Sequence, residues 1–211
     1  MAQAGIYDGD TSANGAAVAF QYDAPLAGEA MGTLTCARVP AGDRLRLERG
    51  ESRPDAGAAL RAVTVAEDDA GIRIDNGVSG VFYARAEGGL PAAIRFAAAG
   101  RTFEGFHLND RVYEAGRGGF LVREDREGRM RVPARGPYRA AIEIEARYGG
   151  ARNAPGAPRV RYVFEHLAGS PAIRVTADVI QTEAAGWSEL HVLEINFPHE
   201  FFTRWETGDP A

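Results

Sequence analysis

From Arg159 to Phe197 the chain reads RVRYVFEHLAGSPAIRVTADVIQTEAAGWSELHVLEINF, and its alternation leaves little freedom of secondary structure. Val160, Tyr162, Phe164 and His166 occupy every second position. Arg159, Arg161 and Glu165 stand between them, with Val163 as the one apolar exception. Side chains two apart share a sheet face, so this pattern predicts a half-buried strand. Ala168-Gly169-Ser170-Pro171 supplies a turn, since Gly accepts unusual dihedrals and Pro cannot continue a central ladder. A second strand follows over 172–182, with Ile173, Val175, Ala177 and Val179 opposing Arg174, Thr176 and Asp178. A third is predicted from Glu189 to Phe197. It sets His191, Leu193, Ile195 and Phe197 on one face and Leu190 and Val192 on the other. Apolar residues on both faces predict a strand covered on both sides, in the middle of a sandwich. Pro198 ends it.

Upstream, short alternating runs predict strands over 16–22, 32–39, 44–48, 60–66, 72–76, 81–86, 92–97, 102–108, 120–124, 130–132 and 138–148. Asn76-Gly77 is a tight-turn pair. Residues 40–43 read as a hairpin loop, and 109–118 and 149–158 as longer loops. No segment carries the spacing of an amphipathic helix. Short strands with turn signals at intervals of about 8–15 residues predict an all-β fold, an antiparallel supersandwich-like β-sandwich with little or no helix. The polar Pro- and Gly-containing stretch 51–59 reads as a linker. It would separate a short N-terminal β-segment, 1–50, frayed at its start, from a main β-sandwich domain over 60–211. The final residues, 205–211, are loop-like, as in a fragment of a longer chain.

At 211 residues the chain can bury roughly 70% of its unfolded surface without covalent staples. Its single cysteine, Cys36, has no partner for an internal disulfide and reads as a small buried residue. All 24 basic residues are arginines, which with the abundant Ala and Gly suggests high-GC bacterial codon usage. A formal charge of −5 and the scatter of those arginines argue against a nucleic-acid surface. No apolar run approaches the ~20 residues of a membrane span, so no membrane partner is expected. The N-terminus has no basic and apolar leader pattern, which leaves localisation open between the bacterial cytoplasm and, if residues are missing upstream, export.

Candidate chemistry is sparse. His166 lies on an apolar strand face beside Tyr162 and Phe164, where its intrinsic pKa suits a proton shuttle and its setting suits a hydrogen-bonded core residue. Glu189, His191, Glu194, His199 and Glu200 cluster around the last strand. In a regular strand His191 and Glu194, three apart, point to opposite faces and cannot share an ion, so no metal site is expected. His107, Asp110, Arg111 and Tyr113 fall where a strand runs into a predicted loop. Arg could hold a carboxylate there while His or Tyr moves a proton, and an ordinary solvated loop would read the same. Trp187 and Trp205 sit in loops, where an indole can stack on a sugar ring or plug a sandwich edge. Gly116-Arg117-Gly118-Gly119 precedes a strand and lacks the helix N-terminus that a phosphate loop uses. No cofactor-binding pattern is present.

Taken in order, IDNG at 74–77, GGLP at 88–91, GPYRAAIEIEARY at 136–148, RVRYVFEHLAGSPAIRVTADVI at 159–180 and SELHVLEINFP at 188–198 carry a resemblance. Over residues 60–198 the chain resembles the N-terminal β-domain of exo-acting rhamnogalacturonan lyase-like (RIFT-barrel) proteins. More distantly, it is similar to the β-supersandwich domains of polysaccharide lyases and galactose mutarotase-like proteins. The resemblance implies a protein acting on acidic oligo- or polysaccharide by β-elimination, in which a cation neutralises the uronate carboxylate while a base and an acid move protons. It also implies a helical catalytic domain downstream, so that this β-domain would be non-catalytic alone. Alternatives are a stand-alone mutarotase-like enzyme, with His166, His191 and Glu189 as acid and base, and a structural or interaction sandwich with no sugar site. In a sugar-binding role, Trp187, His107, Arg111 and Tyr113 would contact the saccharide.

Overall fold

The computed structural model describes residues 11–13, 16–18, 20–26, 30–36, 61–152 and 154–198. Strands β1 (Thr11–Ala13) and β2 (Ala16–Val18) form one hairpin. Strands β3 (Phe20–Asp23) and β4 (Thr33–Cys36) form another. An antiparallel five-stranded meander follows in chain order: β5 (Thr64–Glu67), β6 (Gly71–Asp75), β7 (Ser79–Ala84), β8 (Pro91–Phe96) and β9 (Arg101–Glu104). Next come β10 (His107–Glu114) and β11 (Gly118–Leu121). A four-stranded meander is built from β12 (Arg129–Arg135), β13 (Arg139–Arg147), β14 (Arg159–Leu167) and β15 (Ile173–Ile180). The last strand, β16 (Glu189–Asn196), returns to pair with β10 in a three-stranded sheet ordered β11-β10-β16. The only helical turns among the described residues are three-residue 3-10 turns at Arg85–Glu87, Val122–Glu124 and Gly150–Arg152. The fold is all-β and antiparallel, as the alternation predicts. Among the described residues, no helix is long and apolar enough to cross a membrane.

The core lies where the two meanders face each other. Ile72, Ile74, Val81 and Tyr83 from one sheet meet Ile142, Ile144, Tyr162 and Phe164 from the other. The Tyr83 and Phe164 rings sit 5.1 Å apart, centroid to centroid, in a tilted arrangement. Leu108, Val112 and Phe120 of the third sheet complete the same cluster. This matches a sandwich in which each strand turns one side inward.

Two expectations are corrected. Residues 109–114 are not loop but the body of β10. Leu108, Asp110 and Val112 point in while Asn109, Arg111 and Tyr113 stay half-exposed. An aspartate in the inward row hides the apolar alternation that would have marked the strand. Nor is β16 a central strand covered on both faces. It is the edge of its sheet, with Leu190, Val192, Ile195 and Phe197 each 37–46% exposed.

The N-terminal strands are tied to the main body through β3. The Gln21 side chain accepts from the backbone N–H groups of Tyr138 and Arg139 (2.9 Å each) and donates to the Arg139 carbonyl (2.9 Å). Gly136 permits this approach, because a Cβ there would fall 2.1 Å from Gln21 Cδ. The 51–59 linker, the 44–48 strand, Trp205, His199 and Glu200 lie outside the described residues.

Candidate functional site

The outward face of β10 and β16 gathers most of the polar residues singled out from sequence. Cross-strand register sets Tyr113 opposite Glu189, Arg111 opposite His191, and Asn109 opposite Glu194. One residue separates Asn109 from Arg111 on β10, whereas two separate His191 from Glu194 on β16. The surplus is a β-bulge at Val192-Leu193 opposite Asp110, with Leu193 at φ +50°, in the left-handed region. One inserted residue reverses the alternation beyond it. His191 and Glu194, expected on opposite faces, therefore share one, and their side chains meet at 2.5 Å (Nδ1 to Oε2). Leu190 and Ile195 fall opposite Val112 and Leu108, on the face of those buried residues, though at the sheet edge both stay exposed. The predicted grouping of His191 with Ile195 is thus corrected by the bulge.

His191 is held from both sides. Its Nε2 lies 3.0 Å from Glu189 Oε2, and Asn109 donates to Glu194 Oε2 at 2.8 Å. Glu189 and then Glu194 raise the His191 pKa above its ordinary value, while His191 and Asn109 hold the Glu194 carboxyl below its own. Arg111 reaches Glu189 loosely at 3.5 Å, and its guanidinium lies 5.8 Å from the Tyr113 ring centroid. Gly119 of β11 stands opposite Tyr113. A Cβ at Gly119 would sit 3.4 Å from Arg111 Cδ and 3.9 Å from Tyr113 Cδ2, so the glycine leaves both side chains uncovered. No set of three or more metal-type ligands occurs among the described residues. Both His191 nitrogens already face carboxylates.

Beneath the bulge, on the inward side, Asp110 is fully buried. Its Oδ2 accepts from the Tyr162 hydroxyl and from the Leu193 backbone N–H (3.3 Å). Tyr148 Oη faces the same carboxylate without hydrogen-bonding geometry, and Asp110 Oδ1 has no partner among the described residues. Burial raises the Asp110 pKa, against the lowering effect of Tyr162, Tyr148 and Leu193. Burial likewise pushes the Tyr162 and Tyr148 hydroxyls well above their ordinary values. Asp110 thus joins the interior rather than the surface set in which its position near Arg111 had placed it.

The other predicted residues are dispersed. His166 is fully buried on the inward face of β14, and its Nε2 lies 2.7 Å from the Tyr83 hydroxyl. Burial drives its pKa down to about 4, so the ring is neutral at physiological pH. It shares no partner with His191, and the two do not form one acid–base pair. His107 opens β10 on the exposed side and lines a small 150 Å³ depression with Glu87, Pro91 and Phe106. Trp187 is half-buried against the core. Its indole N–H donates to the Pro155 carbonyl at 3.1 Å, so it plugs the sandwich edge. Sequence reasoning passed over Asn109 and weighed Gly119 only as part of a phosphate-loop pattern; both matter here only through register. No family model, curated protein or solved structure matches the chain.

Proposed function

We propose that the chain is a carbohydrate-associated β-sandwich domain of a polysaccharide lyase-like protein. In this reading it binds acidic oligo- or polysaccharide through the outward face of β10 and β16 and is non-catalytic alone. The observation that carries this reading is the uncovered Arg111–Tyr113 pair beside Gly119, flanked by His191. Arg111 keeps guanidinium donors beyond its loose contact to Glu189, and a planar donor fork suits a uronate carboxylate. The Tyr113 ring offers an apolar face to the sugar. Asn109 and the His191–glutamate cluster present further hydrogen-bonding groups along the same row. Binding fits better than turnover. Both His191 nitrogens are occupied by carboxylates, and His166 is enclosed with Tyr83, so neither offers a free imidazole to a substrate. The face sets Arg111 and His191 against Glu189 and Glu194, so affinity would come from donor geometry more than net charge.

Isothermal titration with galacturonate oligomers tests this, with absorbance of the unsaturated uronate followed in parallel. The expected result is saturable binding without new absorbance, lost in Arg111→Ala and in Gly119→Leu, which covers the pair without removing a charge. No saturable binding would support the structural sandwich instead. Rising absorbance would mean that the domain is itself a lyase.

A further inference from the structure

The outer face of the four-stranded sheet follows one rule along most of its length: each arginine meets a carboxylate. Glu143, buried, lies between Arg131 (2.6 Å) and Arg161 (2.8 Å), and Arg161 reaches on to Asp178 (3.1 Å). Glu165 lies between Arg139 (2.6 Å) and Arg174 (3.5 Å). At one end the rule fails. Register sets Arg147 of β13 directly opposite Arg159 of β14, and the neighbour of Arg159 on its other side is Ile180. Like charges directly opposite on a sheet repel. Arg147 is offset by Asp125 (3.4 Å) and Glu127 (2.7 Å). Arg159 makes no side-chain hydrogen bond or ion pair with any described residue, and neither does Arg129 on β12. These residues line one open cleft of about 460 Å³ together with Arg161, Asp125, Glu127 and Glu145. Four arginines there face three carboxylates; Arg129 stands opposite Glu145 in register without an ion-pair contact, and Arg159 has no carboxylate opposite it on either side. Ala146, Val160 and Ile180 add apolar wall to the same cleft.

We propose that this cleft is an oxyanion site, in which Arg159 and Arg129 hold a carboxylate, sulfate or phosphate group and Arg147 adds a third positive charge. A guanidinium fork binds such a group bidentately, and a bound anion would relieve the Arg147–Arg159 repulsion. The site lies on the four-stranded sheet, and its donors are not those of the β10–β16 face. It therefore stands or falls apart from the reading above.

The test uses the full chain in chloride buffer at fixed ionic strength. Inorganic sulfate, inorganic phosphate and monomeric galacturonate are titrated separately, with arginine side-chain N–H signals followed by NMR and thermal unfolding run alongside. The expected result is saturable shifts at Arg159 and Arg129 with at least one probe, together with a rise in Tm. Arg159→Gln should weaken that binding at least tenfold and raise Tm in chloride alone, because the like-charge pair is gone. Saturation of the Arg159 and Arg129 signals should persist in Arg111→Ala, which removes the β10–β16 contact and so separates the two readings. Tighter binding of galacturonate than of either inorganic ion would identify a sugar-borne carboxylate, and the reverse order a free inorganic anion. Absence of saturation with all three probes would overturn the site. So would wild-type affinity in Arg159→Gln, or a lower Tm for that variant in chloride, which would make Arg159 a structural residue.

Discussion

The buried Asp110 carboxylate accepts a hydrogen bond from the backbone N–H of Leu193 at 3.3 Å, at the point where β16 carries its extra residue. The bulge that brings His191 to Glu194 on the surface is thus anchored from inside the core. Asp110→Ala would leave the Tyr162 hydroxyl and the Leu193 N–H unpaired in the interior. With each orphaned group costing about 1–3 kcal/mol, the expected loss is roughly 2–6 kcal/mol in urea unfolding. Asp110→Asn keeps an acceptor and should lose less. The more telling readout is His191. If Asp110 holds the bulge, the alanine variant lowers the His191 pKa toward its ordinary value and the asparagine variant does not. An unmoved His191 titration in Asp110→Ala would show that the bulge forms without its anchor.

His191 should titrate above the ordinary histidine range of about 6.5, because Glu189 and then Glu194 favour the imidazolium. The folded pKa is the raised one. The stabilising contribution of the pair is therefore complete below the unfolded value and is lost as pH rises through the folded value. Glu189→Gln and Glu194→Gln should each lower the pKa seen in an NMR titration, and the double variant should bring it close to the ordinary value. A His191 pKa at or below 6.5 in the wild-type chain would contradict the geometry.

What could be read in the sequence followed from period and composition. The 159–167 alternation marked β14 to the residue, and the turn at 168–171 and strand β15 followed within a residue or two. The outward set of Arg111, Tyr113, His191 and Glu189 was named, but not that the set is contiguous. Contiguity depends on β16 pairing with β10 across some 80 intervening residues, which no local pattern records. The bulge was illegible for a sharper reason. Leu193 sits in the left-handed region without being Gly or Asn, so the residue type most often used to signal such a backbone is missing. Asp110 concealed β10 in the same way, since a carboxylate in an inward row looks like a loop until Tyr162 and Leu193 are seen to satisfy it.

His166 makes a separate pH prediction. Its folded pKa of about 4 lies below the unfolded value of about 6.5, so the unfolded chain binds the proton first. Stability should fall as pH drops from about 6.5 toward 4, by about 2 kcal/mol at pH 5 from this group alone. Asp110, whose folded pKa is raised, works the other way, gaining stability as pH falls. The His166 contribution is therefore isolated as the difference between wild type and His166→Gln. The variant should be less stable at pH 7, having disturbed the 2.7 Å contact to Tyr83, but flatter between pH 7 and 5. Parallel pH curves for the two proteins would show that His166 is not buried neutral.

Arg139 is a fully buried arginine. Its side chain is 2% exposed and meets Asp23 of β3 at 2.8 Å and Glu165 of β14 at 2.6 Å, so one guanidinium joins the N-terminal strands to the main sheet. Burial disfavours its charge, but hydrogen bonds to the two carboxylates outweigh that and raise its pKa. Removing the cation alone strands the largely buried Asp23 carboxylate and leaves Glu165 only its longer contact to Arg174 (3.5 Å). Arg139→Ala should therefore cost about 3–5 kcal/mol, and should expose the β3 region to limited proteolysis before the main body unfolds. Removing all three charges is a different experiment. In Arg139→Met with Asp23→Leu and Glu165→Met, no buried charge is left unpaired, since Arg174, which loses Glu165, is exposed, and apolar packing replaces the desolvated ions. The triple variant should recover most of the loss, because the attraction in a buried pair is largely offset by the cost of taking its charges out of water. A triple variant no more stable than Arg139→Ala would mean that this site depends on the ion pairs for docking geometry, with Gln21 and its three backbone contacts unable to hold β3 in place alone.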